Sequence, residues 1–272
     1  MISFILPTRN TLPYTKLAYS SLRRYNQECE IILMDDLSTD GTREWMDTIN
    51  DKNTIIWKND PTNFPKTYDE QTFSGHTLLY NIGAQIANGP IIGIFHSDMI
   101  CTKNYSKNLL KHLKPKTIVS ATRIEPPVYP RDNIKFTENF GVYFDEFKQE
   151  EFDNFIKIKE KEFDGIFTHH FFAPWIMYQE EYLDLGGMNP IYAPYPCEDS
   201  DFVERLVNEN YQIIQSWDSI VYHFCSRGHR WTTGKVGVDT DYFKKCQNRS
   251  LEKFIELWGK YPNPPNFEYN KN

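Results

Sequence analysis

The chain has 272 residues, which is enough for one large domain or two small ones. Its formal net charge of −7 argues against a nucleic-acid partner, because binding to a phosphate backbone needs a basic face. No apolar run approaches the roughly 20 residues that span a bilayer, and the first residues, MISFILPTRN, lack the basic start of a signal peptide. Five widely spaced cysteines without a C-x-x-C motif disfavour a zinc ribbon or a disulfide framework. We therefore expect a soluble, cytoplasmic protein without a transmembrane segment.

The first hundred residues alternate between short apolar runs and helical patterns. The patterns predict strands at 2–6, 30–36, 53–59 and 91–95, helices at 15–26 and 76–88, and a turn leading into a helix at 37–49. This alternation is typical of an α/β fold with a mostly parallel sheet and helices on both faces. Ligands bind such sheets outside the carboxyl ends of the strands, which is where Asp35-Asp36 and His96-Ser97-Asp98 fall.

The second half of the chain is less regular. We predict a strand at 116–124, an amphipathic helix at 144–163 and a helix at 198–210. No linker, internal repeat or low-complexity tract divides the chain, so one domain over residues 1–260 is expected. The segment 261–272 is rich in Pro and Asn and is expected to be a loose tail.

The segment His96-Ser97-Asp98 ends the apolar run IIGIF. On an extended strand His96 and Asp98 would point to one side and Ser97 to the other. An imidazole nitrogen and a carboxylate oxygen suit a divalent transition metal such as Mn²⁺ better than Ca²⁺. The alternative is a surface turn that carries polar residues by chance, which the buried strand before it disfavours.

The stretch CEDSDFVERL places Glu198, Asp199 and Asp201 in the first turn of a predicted helix. These acids either complement the helix dipole or line a pocket shaped by the preceding glycines and prolines. His223 follows a short apolar run and is either a structural residue or a ligand. Asp35-Asp36 is likewise either a turn after a strand or part of a binding site, at even odds.

Glycine-rich phosphate motifs are absent: neither G-x-G-x-x-G nor a P-loop occurs in the sequence. The motifs H-E-x-x-H of metalloproteases and G-x-S-x-G of hydrolases are also absent. A nucleotide bound to this chain would therefore be held without a glycine cradle.

Six segments, taken together and in order, resemble family 2-like glycosyltransferases of the GT-A fold. They are ISFILPTRN, IILMDDLSTDGT, LLYNIGAQIANGPIIGIFHSDM, LDLGGMNP, CEDSDFVERL and VYHF. The resemblance covers about residues 2–225. It implies a nucleotide-binding half at about 1–100 and an acceptor-binding half at about 101–235.

The resemblance also implies an inverting transfer of a sugar from a nucleotide-diphosphate sugar to a hydroxyl acceptor, expected to be a glycan. A Mn²⁺ or Mg²⁺ ion would bind the diphosphate, and uridine is the favoured nucleoside, with guanosine and thymidine as alternatives. By position, the metal ligands would be Asp98 and His223, with His96 in question, and the catalytic base would be Asp199. The nucleotide-binding residues would be Pro7, Thr8, Arg9, Asp36 and Ser97.

The sequence departs from the family pattern at two positions. His96 replaces the first acid of the D-x-D motif, and Ile82 stands where a basic residue is usual. We therefore expect cations for the diphosphate on the loop SRGHRWTTGK, which would form a lid with Arg227, His229, Arg230 and Lys235. Acceptor contacts are expected from Glu198, His170 and Trp175, the last two in the stretch HHFFAPW, which is either a sugar-facing wall or core.

Two other functions remain open on the sequence. A nucleotidyltransferase would also combine a nucleotide with acidic metal ligands, but LPTRNTLPYTK lacks the glycines of its usual loop after the first strand. A catalytically silent sugar-binding relative is disfavoured by the acids around position 199 and favoured by His96. The donor sugar, the acceptor and the oligomeric state are not readable from the sequence.

Overall fold

A computed structural model describes residues 1–60, 62, 75–225, 227 and 239–270. The strands are β1 (Ile2–Thr8), β2 (Glu30–Asp35), β3 (Thr54–Lys58), β4 (Ile91–Ile94), β5 (Met99–Cys101), β6 (Thr117–Glu125), β7 (Phe136–Thr137), β8 (Phe167–Thr168), β9 (Trp175–Tyr178) and β10 (Gln212–His223). The helices are α1 (Leu12–Tyr25), α2 (Thr42–Asp47), α3 (Gly75–Ile86), α4 (Tyr105–His112), α5 (Gln149–Glu162), α6 (Gln179–Asp184), α7 (Glu198–Asn208) and α8 (Asp241–Trp258).

One sheet runs through the described part of the chain in the order β3-β2-β1-β4-β9-β6-β10-β5, with β7 beside β6 and β8 beside β10. The first four strands are parallel, as predicted. The second half is mixed, because β9 runs antiparallel to both β4 and β6 while β6 and β10 are parallel. The expectation of a mostly parallel sheet therefore holds for the first hundred residues only.

The core lies on both faces of this sheet. Every residue of β1 and β2 is buried, as expected for strands that helices cover on both sides. One face packs Met34, Leu79 and Trp175 together, and the other packs Phe4 and Phe95 with neighbouring apolar side chains. The two layers hold the carboxyl ends of the central strands in fixed positions, which is where the polar residues lie.

Asn81 of α3 joins two distant segments of the chain. Its Oδ1 accepts hydrogen bonds from the hydroxyl of Tyr182 at 2.7 Å and from the backbone N of Met188 at 2.8 Å, and its Nδ2 donates to the Met188 carbonyl at 2.8 Å. Gly187, at φ +65°, lies against it, and a Cβ at that position would come within 2.3 Å of Asn81 Oδ1. This junction fixes the loop that leads to α7.

The C-terminal segment docks onto the domain, so the prediction of a loose tail is wrong for its described residues. The backbone N of Tyr269 donates to the carbonyl of His169, and Ile213 donates to Asn270 Oδ1 at 2.9 Å. The Tyr269 ring packs against the core. In the described part of the chain, no helix combines the length and the apolar surface that crossing a membrane requires.

Candidate active site

A cleft of about 360 Å³ opens at the carboxyl ends of the parallel strands. Most residues singled out in the sequence meet there, although they come from distant parts of the chain. The predicted residues that line it are Pro7, Thr8, Arg9, Asp36, His96, Ser97, Asp98, Glu198 and His223.

Asp36 follows β2 and is 2% exposed. Its Oδ1 accepts a hydrogen bond from Asn59 Nδ2 at 2.7 Å, and its Oδ2 accepts one from the backbone N of Gly75 at 2.8 Å. The guanidinium of Arg9 donates to the Asp36 carbonyl. These hydrogen bonds fix the orientation of the Asp36 carboxylate, which is an acceptor-only group.

Three potential metal ligands converge near the carboxyl end of β4. One ligand atom from each of His96, Asp98 and His223 lies within 4.8 Å of the other two. His96 and Asp98 lie in a turn after β4 and not on an extended strand, so they converge through the turn rather than through strand alternation. His223 Nε2 lies 3.5 Å from Asp98 Oδ1, and the backbone N of Arg227 donates to Asp98 Oδ2 at 3.1 Å.

Asp98 and His223 form a charged pair. Burial opposes protonation of His223, but Asp98 raises its pKa well above the usual range, so a metal bound here would replace a proton. Burial opposes ionisation of Asp98, but the adjacent His223 outweighs it and holds the pKa of Asp98 well below its usual range. Burial, aided by His223 and His76, lowers the pKa of His96 to about 3, which leaves its imidazole neutral and able to coordinate. Two imidazoles and one carboxylate form a donor set that fits Mn²⁺ and leaves coordination positions for other oxygens.

Glu125, the last residue of β6, lies behind His223. Its Oε1 is 2.7 Å from His223 Nδ1, its Oε2 accepts from Lys135 at 2.6 Å, and Arg123 lies 3.4 Å from Oε1. Burial opposes ionisation of Glu125, yet Arg123, His223 and Lys135 together hold its pKa far below the usual range. Glu125 and His223 also fall within 4.8 Å of Cys225, but the two cations on Glu125 already neutralise that group.

The other wall of the cleft consists of the beginnings of α3 and α7. Glu198 Oε1 lies 2.6 Å from His76 Nε2, and the His76 ring stacks on Tyr195 with centroids 5.8 Å apart. Burial opposes protonation of His76, but Glu198 raises its pKa, so this is a charge-assisted contact. Glu198 Oε2 is buried and has no hydrogen-bond partner in the described part of the chain.

Asp199 adjoins Glu198 but does not itself line the cleft. Burial and the negative charge of Glu198 raise the pKa of Asp199 to about 7. Asp201 is fully buried, pairs with Arg205 at 2.9 Å and accepts from Trp258 Nε1 at 3.0 Å. These two contacts tie Asp201 to its own helix and to α8, so Asp201 braces the helix.

The structure corrects two expectations for the acceptor wall and the lid. Trp175 is completely buried in the core, stacked on Phe202, and cannot face a sugar. The side chain of Arg227 donates to the Val142 carbonyl and lies over Tyr143, and Arg227 is not among the residues that line the cleft. His170 is 8% exposed and does not line the cleft.

Three further residues of the expected lid, namely His229, Arg230 and Lys235, lie outside the described residues.

The sequence interpretation missed several residues of the cleft. Arg123, two residues before the end of β6, lines it beside His223 and is a cation suited to a diphosphate. The rule that selected Asp98 and His223, namely polar residues at strand ends, also applies to Arg123 and Glu125. His76, Tyr195 and Phe243 line the cleft too, but only long-range packing brings them there.

Comparisons of the sequence with known proteins identify a family. Residues 3–184 match the sequence profile of Glycosyl transferase family 2. The abequosyltransferase RfbV of Salmonella typhimurium is 32% identical over 108 residues, which are 38% of this chain and 30% of that protein. The match thus spans about a third of the curated relative.

Solved structures share the fold. The mannosyltransferase PcManGT from Pyrobaculum calidifontis, in complex with GDP-Man and Mn²⁺, aligns with a TM-score of 0.59 at 18% identity over 97% of this chain and 66% of that one. S. aureus TarS in complex with UDP aligns with a TM-score of 0.54 at 17% identity over 81% of this chain and 59% of that one. The prediction of a GT-A type α/β fold is confirmed, and the chain belongs to glycosyl transferase family 2.

Proposed function

We propose that this chain transfers a sugar from a nucleotide-diphosphate sugar to a hydroxyl acceptor, with inversion at the anomeric carbon and with a divalent metal. The observation that carries the proposal is the convergence of three groups in one cleft. They are a fixed carboxylate for the nucleotide (Asp36), a three-residue donor set for a metal (His96, Asp98 and His223) and the carboxylate of Glu198 on α7, which Asp199 follows in the chain.

The nucleotide end of the donor would lie between Asp36 and the segment Pro7–Arg9. Asp36 is an acceptor-only group, so it would select a base N–H or a ribose hydroxyl. A uridine donor is our first choice and guanosine the second. The UDP and GDP-Man bound by the two structural neighbours are consistent with both.

The metal site would meet the diphosphate. When bound, the ion would supply positive charge to the leaving phosphate oxygens. Arg123 lines the same part of the cleft and would add a fixed cation beside them. The resulting charge balance would let the nucleoside diphosphate depart without a proton.

Asp199 is the proposed base. Displacement at the anomeric carbon forms a bond from the acceptor oxygen and breaks the bond to the diphosphate, and the acceptor proton must pass to a carboxylate. The raised pKa of Asp199, about 7, is close to the ideal for a base that works near neutral pH. Glu198 is already held by His76, and its second oxygen would accept a hydroxyl of the acceptor sugar.

The experiment is incubation with a panel of UDP-, GDP- and dTDP-sugars with Mn²⁺, followed by detection of released nucleoside diphosphate and, with hydroxyl acceptors, of the anomeric configuration formed. We expect slow donor hydrolysis with one nucleotide class and an inverted product. Release of sugar 1-phosphate in place of nucleoside diphosphate would indicate a nucleotidyltransferase. Binding of a nucleotide sugar without hydrolysis, and without transfer to any acceptor tested, would indicate a catalytically silent relative.

A further inference from the structure

The carboxyl ends of β6 and β10 place a carboxylate directly behind a candidate metal ligand. The two strands are parallel, with Tyr222 paired to Ile124, and each ends one residue later, at His223 and Glu125. The side chains meet there at 2.7 Å between His223 Nδ1 and Glu125 Oε1. Both side chains are buried, so water does not compete for this contact.

We propose that Glu125 is a positioning residue that fixes the tautomer and the direction of His223 for metal binding. The inference rests on the proposed metal-dependent function. A carboxylate accepts and does not donate, so Glu125 requires the hydrogen on Nδ1. The lone pair of the neutral ring then lies on Nε2, which is the atom that faces Asp98 at 3.5 Å.

Glu125 is itself held in place from behind. Lys135 donates to its Oε2 at 2.6 Å, and Arg123 approaches Oε1 at 3.4 Å. These contacts hold the carboxylate of Glu125 in its place behind His223. Such outer carboxylates raise the basicity of a ligating imidazole and restrict its orientation.

A purely structural role is the competing explanation, because Glu125 also neutralises Lys135 and Arg123 in a buried place. The two roles make different demands. A structural role needs a balance of charge, which a paired substitution can restore. A positioning role needs an acceptor with a negative charge at Nδ1, which no change at Lys135 can restore.

The test is Mn²⁺ affinity, measured by calorimetry on the full chain, for wild type, Glu125→Gln, and Glu125→Gln combined with Lys135→Met. Glu30→Gln is the matched control. Glu30 is also buried and hydrogen-bonded, but it is the first residue of β2 and so lies at the end of that strand away from the cleft. We expect Glu125→Gln to weaken Mn²⁺ binding about 10–100-fold. The double variant should regain thermal stability without regaining affinity, and Glu30→Gln should bind like wild type.

Equal Mn²⁺ affinity of wild type and Glu125→Gln would overturn the inference and leave the proposed function standing. Recovery of affinity in the double variant would show a structural role only. A folded wild type that binds no Mn²⁺ would overturn the metal-dependent function and this inference with it. If the variants fail to fold, long-range ¹H–¹⁵N spectra of the wild type with Zn²⁺ provide the test. The proposal requires that His223 carries its hydrogen on Nδ1. Absence of a hydrogen on Nδ1 would contradict the proposal.

Discussion

The two walls of the cleft are built differently. On the strand wall, which is the end of β6 and β10 with the turn after β4, the polar groups are matched to one another: His223 lies between Asp98 and Glu125. On the helix wall, which is the start of α3 and α7, one oxygen of Glu198 is buried and finds no partner among the described residues, and the neighbouring Asp199 has a raised pKa. Matched groups hold a fixed charge pattern for an ion and a diphosphate. Unmatched carboxylates favour a substrate that supplies hydroxyl donors and gives up a proton.

The largest effect should come from the strand wall. We expect Asp98→Ala to abolish Mn²⁺-dependent donor binding and to lower transfer by about 10³-fold or more, since a bound metal contributes several kcal/mol to charge stabilisation. Donor binding and turnover would be measured with and without EDTA. Asp164→Ala, a change at an exposed carboxylate, is the control. Full turnover of metal-free wild type would remove the distinction between the two walls.

The next effect concerns the helix wall. Asp199→Asn keeps the size of the side chain and removes its basicity, so transfer should fall by about 10²–10⁴-fold while donor affinity stays unchanged. Single-turnover rates and nucleotide-sugar binding would be compared with those of Glu198→Gln, which should raise the KM for the acceptor. A dead Glu198→Gln beside a nearly normal Asp199→Asn would move the base to Glu198, the residue that lines the cleft.

The pH dependence of the transfer rate should report on the helix wall alone. The pKa of Asp199 is raised to about 7, so its ionised, working form is the minority at pH 6 and the majority at pH 8. At saturating metal and substrates, transfer should therefore rise about tenfold over this range in wild type. The residual rate of Asp199→Asn should be flat. A wild-type rate that falls as the pH rises would contradict the role of this carboxylate.

The smallest effect is expected at His76. His76→Ala removes the hydrogen bond to Glu198, so the KM for the acceptor should rise by a factor that corresponds to about 1–3 kcal/mol, with kcat less affected. His76→Gln keeps a donor and should recover part of the loss. His169→Ala, at a histidine that does not line the cleft, serves as the control. A change in kcat alone would show that His76 acts on the chemical step.

The strand wall was predicted from two sources. Parallel strands bring their carboxyl ends to one edge, which placed Asp36 and Asp98 together, whereas His223 was assigned to the metal only through the family resemblance. His76 reaches Glu198 only through the packing of α3 against the loop before α7, which no local pattern records. The interpretation of Trp175 as part of a sugar-facing wall was wrong. The local sequence, an aromatic residue after a proline, is the same for a strand of the core and for the wall of a groove, so it could not distinguish the two.

The junction of Asn81 with the segment after α6 has a consequence for how related sequences can diverge. Gly187 leaves no room for a side chain while Asn81 is present, and Asn81 gives three of its hydrogen-bonding positions to Tyr182 and Met188. A side chain added at 187 would collide with the Asn81 amide. A different residue at 81 would remove the hydrogen bond that the Met188 carbonyl accepts and leave the Met188 N–H only its 3.1 Å bond to the Tyr182 hydroxyl. Each position is therefore constrained in its own right: Asn81 by its hydrogen bonds, and Gly187 by its positive φ as well as by the amide. An alignment of relatives should show little variation at either position.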